Sequence, residues 1–162
     1  MNLYHGTNTD IVEIDLTKGN KYKDFGQGFY LTSDRDTAIR MAIKKARLFG
    51  GQPTLITYEF DESAMISNLR VKQFPAKATA EWLKFVAANR DKDSQDRPQK
   101  YDIISGPIAD DGVVLTLTNF QEGIYTPEQA ALALQDRYLD QQYYFGSNDA
   151  LTFLTKIKVE LV

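Results

Sequence analysis

The tightest constraint on this chain is that the period of its hydrophobic residues changes repeatedly along its length. Ile39, Ala42, Ile43 and Ala46 recur at helical spacing behind a capping-box-like start, Ser33 with Asp36 three residues on, and the pattern stops at Gly50-Gly51. Thr54–Phe60 (TLITYEF) is then β-branched and aromatic in the manner of a strand, and Trp82, Phe85, Val86 and Asn89 return to helical spacing. Tyr101 to Ser105 reads as a strand closed by Gly106-Pro107. Val113 to Phe120 fits both periods and is read as a helix. Thr126-Pro127-Glu128-Gln129 sets a cap, a proline and an early acid ahead of Ala130, Leu134 and Tyr138. The chain closes on a strand from Gln142 to Phe145, a short helix capped at Ser147 and a strand from Lys156 to Val162. It opens on a strand ending at Leu3-Tyr4-His5, with Gly6-Thr7-Asn8 turning the chain and a loop through Thr17-Lys18-Gly19-Asn20. Strands and helices are interspersed without a parallel crossover rhythm, which predicts an α+β fold.

At 162 residues, 43% hydrophobic and 25% charged, the chain has the proportions of one globular domain spanning 1–162, with no repeat or low-complexity segment. Domains of this size bury roughly two-thirds of their unfolded surface, so no staple is required. The absence of cysteine excludes a disulfide scaffold, a thiolate metal site and a cysteine nucleophile. No run approaches the roughly 20 apolar residues of a membrane span and no leader pattern opens the chain, so a cytoplasmic protein without a membrane partner is expected. A net charge of -3 argues against non-specific binding to phosphate backbones. The cluster Arg40, Lys44, Lys45 and Arg47 reads as a solvated helix face, and the polar run from Arg90 to Lys100 as a surface loop.

Few residues offer chemistry. His5 is the one histidine, so with no cysteine a transition-metal site is not expected. No Gly-x-Ser-x-Gly elbow supports serine hydrolase chemistry. The Gly26-Gln27-Gly28 turn lacks the preceding strand and third glycine of a dinucleotide fingerprint, and taken singly it reads as a tight turn feeding the buried Phe29-Tyr30-Leu31-Thr32 stretch. Trp82, Phe85 and Val86 read as core, and the pairs Asn89-Arg90 and Asp110-Asp111 as capping or loop residues.

Three segments in order change this reading: Leu3-Tyr4-His5-Gly6-Thr7, Phe25-Gly26-Gln27-Gly28-Phe29-Tyr30, and Gln141-Gln142-Tyr143-Tyr144-Phe145. Together they resemble the three-part signature of the ADP-ribosyltransferase superfamily, in its poly-ADP-ribose polymerase and diphtheria toxin branch, where His, Tyr and Glu follow one another. The middle of the chain is similar to a bacterial offshoot of that superfamily. The resemblance implies two small packed sheets split around an NAD cleft with flanking helices. It implies NAD as substrate and no metal, mono-ADP-ribosyl transfer to a macromolecular acceptor, protein or nucleic acid, and use as a toxin with a neutralising antitoxin partner. By the same resemblance His5 hydrogen-bonds a ribose hydroxyl, Gly6 grips the carboxamide through its main chain, Tyr30 stacks on the nicotinamide ring, and Thr7 and Gly28 adjoin the dinucleotide.

That chemistry suits the residue types, because breaking the nicotinamide–ribose bond builds an oxocarbenium-like transition state that needs an oriented ribose and stabilised positive charge. The third position departs from the family. Gln142 stands where a glutamate is expected, and an amide neither carries charge nor serves as general base. Asp140, two residues earlier, is the candidate to supply the charge, and Asp140 or Glu122 is next in line if the third motif falls on another residue. Ala38 and Met41 replace a serine and a second stacking tyrosine of the polymerase-like branch, and Arg90 is a candidate for the NAD pyrophosphate. NAD glycohydrolysis is the alternative within enzymes. A degenerate module that binds NAD or ADP-ribose without turnover is the alternative outside them, and for Gln142 alone the plainest reading is a strand glutamine facing solvent.

Overall fold

A computed structural model describes residues 1–94 and 100–162; residues 95–99 of the expected Arg90–Lys100 loop lie outside the described residues. The fold is α+β, with a seven-stranded sheet and five α-helices among the described residues. The strands are β1 (Asn2–Thr7), β2 (Phe29–Thr32), β3 (Thr54–Phe60), β4 (Val71–Gln73), β5 (Ile103–Pro107), β6 (Gln141–Phe145) and β7 (Leu154–Leu161). The helices are α1 (Arg35–Phe49), α2 (Ala80–Arg90), α3 (Asp111–Gln121), α4 (Pro127–Ala133) and α5 (Asn148–Leu151).

The strand order is β4-β5-β6-β2-β1-β3-β7, antiparallel at every joint except β4–β5. One joint differs in kind. β1 and β3 pair over six positions, whereas β1 and β2 meet only at Tyr4↔Thr32. The sheet is thus one hydrogen-bonded order, not two separate sheets, but it consists of two halves hinged on a single residue pair. Beyond that pair the strands diverge along His5, Gly6 and Thr7, and the gap becomes a cleft.

Local chemistry explains most element ends. α1 is capped by Asp34, not by Ser33: the Asp34 carboxylate accepts from the Thr37 amide at 2.7 Å, which a serine one residue earlier cannot do in this register. The Thr126 start carries a reciprocal capping box with Gln129, and Ser147 caps α5. Gly6 does not turn the chain. β1 continues through Thr7, because Gly6 and Thr7 pair with Leu55 and Thr54. β5 likewise runs through Gly106-Pro107, where Pro107 faces Gln141.

The sheet separates two cores. On one face Trp82, Leu83 and Val86 of α2, Val113 and Leu117 of α3 and Ala130 of α4 pack with Ile104 and Tyr144. On the other, Leu3, Phe29, Leu31, Ile56, Phe60 and Phe145 pack beneath Ala64 and Ala150. α1 lies across β1 at a place that requires glycine. A Cβ on Gly6 would stand 1.9 Å from the Ala38 carbonyl oxygen and 2.8 Å from the Ala42 nitrogen. Gly6, Ala38 and Ala42 are all buried, so the small residues of helix and strand set the closeness of approach.

Candidate functional site

His5, Thr7, Gly28 and Tyr30 line one cleft of about 720 Å³ at the β1–β2 divergence. That volume is within the range of small-molecule sites. The loop residues Asp10, Glu13 and Asp15 form its outer wall, and Lys18, Lys23 and Lys45 also border it. Four of the expected binding residues are therefore brought together.

The His5 side chain spans the gap that the diverging strands leave. Its Nδ1 lies 2.7 Å from the Tyr30 carbonyl oxygen, and its ring stacks on Phe29 at 4.6 Å between centroids. A carbonyl only accepts, so Nδ1 carries the proton and Nε2 is left as an acceptor. Burial and the nearby charges of Lys45 and Lys23 push the His5 pKa down to about 3, against the opposing Tyr30 hydrogen bond. His5 is neutral near physiological pH.

Tyr30 is held at its far end. Its hydroxyl donates to the Gly26 carbonyl at 2.6 Å and accepts from the Phe25 amide at 3.0 Å, while the Lys23 ammonium sits 5.0 Å from the ring centroid. A cation therefore already occupies the face of this ring. Gly28 packs where a Cβ would fall 2.3 Å from the Tyr144 ring, and the Tyr144 hydroxyl donates to the Gln27 carbonyl at 2.7 Å. The Gly26-Gln27-Gly28 turn is thus clamped by two tyrosines from adjacent strands.

Gln142 does not line this cleft. It is buried, 7% exposed, which also sets aside a solvent-facing glutamine. Its side-chain nitrogen donates to Asp24 Oδ2 at 2.9 Å and to the Pro107 carbonyl at 3.1 Å. Asp24 is the centre of this second cluster: it also accepts from Arg90 Nε at 2.7 Å and from the Ala109 amide at 3.0 Å. A buried carboxylate so fully satisfied and paired is stable where an isolated one would not be. Arg90, expected as a candidate for pyrophosphate, is committed to Asp24 and to the Ala109 carbonyl at 3.0 Å. Asp140 is held by the Thr37 hydroxyl at 2.5 Å and lies 3.5 Å from Arg40, while Glu122 caps the end of α3. Ala38 is buried against Gly6 and Met41 is exposed, so neither borders the cleft.

Lys45 departs from the solvated face expected for its cluster. Lys44 and Arg47 are exposed, but Lys45 is half-buried and donates from Nζ to the Gly6 carbonyl at 2.8 Å. The sequence held a signal for this. Ala38, Ala42 and Lys45 fall on one helical stripe, and the first two face the sheet. Asp24 left no comparable signal, since its partners are drawn from three distant segments.

A family model described as a protein of unknown function, DUF3990, matches residues 1–155. The chain belongs to that family. The match takes in both the cleft and the Asp24 cluster of this DUF3990 chain. No curated protein and no solved structure matches it. No helix among the described residues is long and apolar enough to cross a membrane, and no three His, Asp or Glu residues there are grouped to hold a metal ion.

Proposed function

We propose that this DUF3990 chain has the ADP-ribosyltransferase architecture and binds NAD in the β1–β2 cleft, cleaves the nicotinamide–ribose bond and transfers ADP-ribose to a macromolecular acceptor. The observation that carries this reading is the meeting of His5 and Tyr30 at the cleft formed where the two halves of the sheet part. The resemblance of the His5-Gly6 and Gly28-Phe29-Tyr30 segments to that superfamily supplies the substrate. Neutral His5, protonated on Nδ1, presents Nε2 to a ribose hydroxyl, and the face of Tyr30 on which Lys23 now rests suits a cationic pyridinium. A toxin role with an antitoxin partner follows from the same resemblance.

One observation favours a second reading, a module that binds NAD without turnover. Both N–H donors of the Gln142 amide are engaged by Asp24 and Pro107 and the residue does not line the cleft, so the family's third position supplies neither a charge nor a free donor at the ribose. Incubation with NAD separates the two. Nicotinamide release with label appearing on an added protein or nucleic-acid fraction is expected for the transferase. Release without label transfer means hydrolysis, and binding without release means the module.

A further inference from the structure

Some of the lysines have an acidic partner. Lys72 pairs with Glu81, Lys156 with Asp10 and Lys158 with Glu160. Lys18, Lys23 and Lys45, which border the cleft, are not among them. Among the described residues neither Lys45 nor Lys23 has a carboxylate within ion-pair distance; Lys45 rests on the Gly6 carbonyl at 2.8 Å and Lys23 on the Tyr30 ring. The acidic residues of the outer wall are engaged elsewhere, Asp10 with Lys156 and Asp15 with the amide and hydroxyl of Thr17, and Glu13 is exposed on the loop. The two ammoniums also feel each other. Burial first, then the charge of Lys23, pushes the Lys45 pKa down to about 8, and both lysines depress His5.

Lys45 keeps its ammonium half-buried with a carbonyl, not a carboxylate, as its partner, and the exposed Lys23 stands within its field, an arrangement that carries an electrostatic cost. An anion placed between them removes that cost. An ammonium has three donors, and Gly6 takes one from Lys45, leaving two for a ligand. We propose that Lys45 and Lys23 form an anion site in the cleft whose ligand is a diphosphate group. Assigning that group to NAD rests on the function proposed above, whereas the site itself stands on the two lysines. When the ligand enters, Lys23 leaves the Tyr30 ring for the diphosphate and frees the ring face.

The sole histidine is a built-in reporter, because its imidazole lies within the field of both lysines. The experiment follows the His5 ring signals by NMR near neutral pH while sodium pyrophosphate, orthophosphate or ADP-ribose is titrated into the whole chain. Pyrophosphate is expected to give a saturable shift. Lys45→Met and Lys23→Met should each weaken its binding by about tenfold or more, and Lys44→Met, one residue away on the exposed face of α1, should leave it unchanged. Since Lys45 also braces Gly6, the exposed Lys23 keeps the test valid if Lys45→Met unfolds. Orthophosphate as tight as pyrophosphate overturns the diphosphate assignment in favour of a single phosphate, and ADP-ribose tighter than both supports a dinucleotide source. The site is overturned if pyrophosphate produces no saturable shift or if Lys23→Met binds it as the wild type does. Nicotinamide release in the absence of pyrophosphate binding sinks the anion site and leaves the enzymatic reading standing. Pyrophosphate binding with no binding or cleavage of NAD does the reverse.

Discussion

The side-chain amide of Gln142 donates to Oδ2 of Asp24, 118 residues earlier in the chain, at 2.9 Å. Arg90 and the Ala109 amide hold the same carboxylate, so β6, α2 and the segments before β2 and α3 converge on one buried group. Restoring the glutamate of the resembled family at this position therefore has a cost that the sequence does not reveal. Gln142→Glu sets a second carboxylate against Asp24 in a buried place and replaces a donor by an acceptor. We expect destabilisation by about 2–3 kcal/mol at neutral pH. The new carboxyl should have a folded pKa raised above its unfolded value by burial and like charge, so stability is regained as pH falls below that raised pKa and lost as pH rises through it. Thermal unfolding at pH 5 and pH 8 checks this. Equal melting temperatures for the variant and wild type at pH 8 would show that the Asp24 contact is dispensable.

Gly6→Ala should be among the most damaging single-methyl changes in the protein. The added Cβ meets the backbone of α1, not the end of a flexible side chain, so relief requires the helix to move off β1. A loss of about 3 kcal/mol or more is expected, read by urea unfolding with circular dichroism. Gly50→Ala makes a useful contrast. Nothing lies within 4 Å of a Cβ there, and any loss comes from its positive φ of 77°.

His5 gives a pH signature. Its folded pKa, about 3, lies below its unfolded value, so the unfolded chain binds the extra proton between the two. Its contribution to stability is complete above about pH 6.5 and is lost as pH falls from there toward 3, with a slope of up to about 1.4 kcal/mol per pH unit. His5→Asn should flatten the unfolding free energy across pH 4.5 to 6.5. NAD cleavage, if measured, should not follow a histidine titration in that range. An acid limb identical in wild type and variant would mean that His5 titrates normally.

The elements with a strong local signature were legible in the sequence. Thr54–Phe60 forms β3 with the expected bounds, and the cap, proline and early acid at Thr126-Pro127-Glu128 open α4, whereas Val113 to Phe120, which fits both periods, falls within α3. The three residues of β4 were not, because a strand of that length has no measurable period and depends on pairing with β5. Within the candidate site, His5 and Tyr30 were found because each sits in a compact motif. Asp24 and Lys45 were missed for different reasons. Asp24 gains its importance only when Arg90, Ala109 and Gln142 are brought to it, and Lys45 was grouped with its charged neighbours when the helical stripe through Ala38 and Ala42 sets it apart.

Tyr30 combines two tasks that substitution can separate. Its hydroxyl anchors the turn, donating to the Gly26 carbonyl and accepting from the Phe25 amide, and burial pushes its pKa well above the usual tyrosine value, so it stays protonated and able to donate. Its ring is the surface proposed for the nicotinamide. Tyr30→Phe removes both hydroxyl contacts and leaves a buried carbonyl and amide without this partner, which should lower stability by about 1–2 kcal/mol. The ring face remains, so calorimetry should find NAD affinity within about twofold of wild type, provided the turn keeps its shape. Tyr30→Ala loses the ring as well, and the affinity should fall by about tenfold, corresponding to roughly 1.4 kcal/mol. A third variant guards against mistaking a loosened turn for a lost stack. Tyr144→Phe removes the hydroxyl contact to the Gln27 carbonyl from the other side of the same turn and keeps the ring that packs edge-on against Tyr30. If Tyr144→Phe weakens NAD binding as much as Tyr30→Ala does, turn integrity is what the ligand needs and stacking on Tyr30 is not the basis of recognition. If Tyr30→Ala alone weakens it, the ring is a contact.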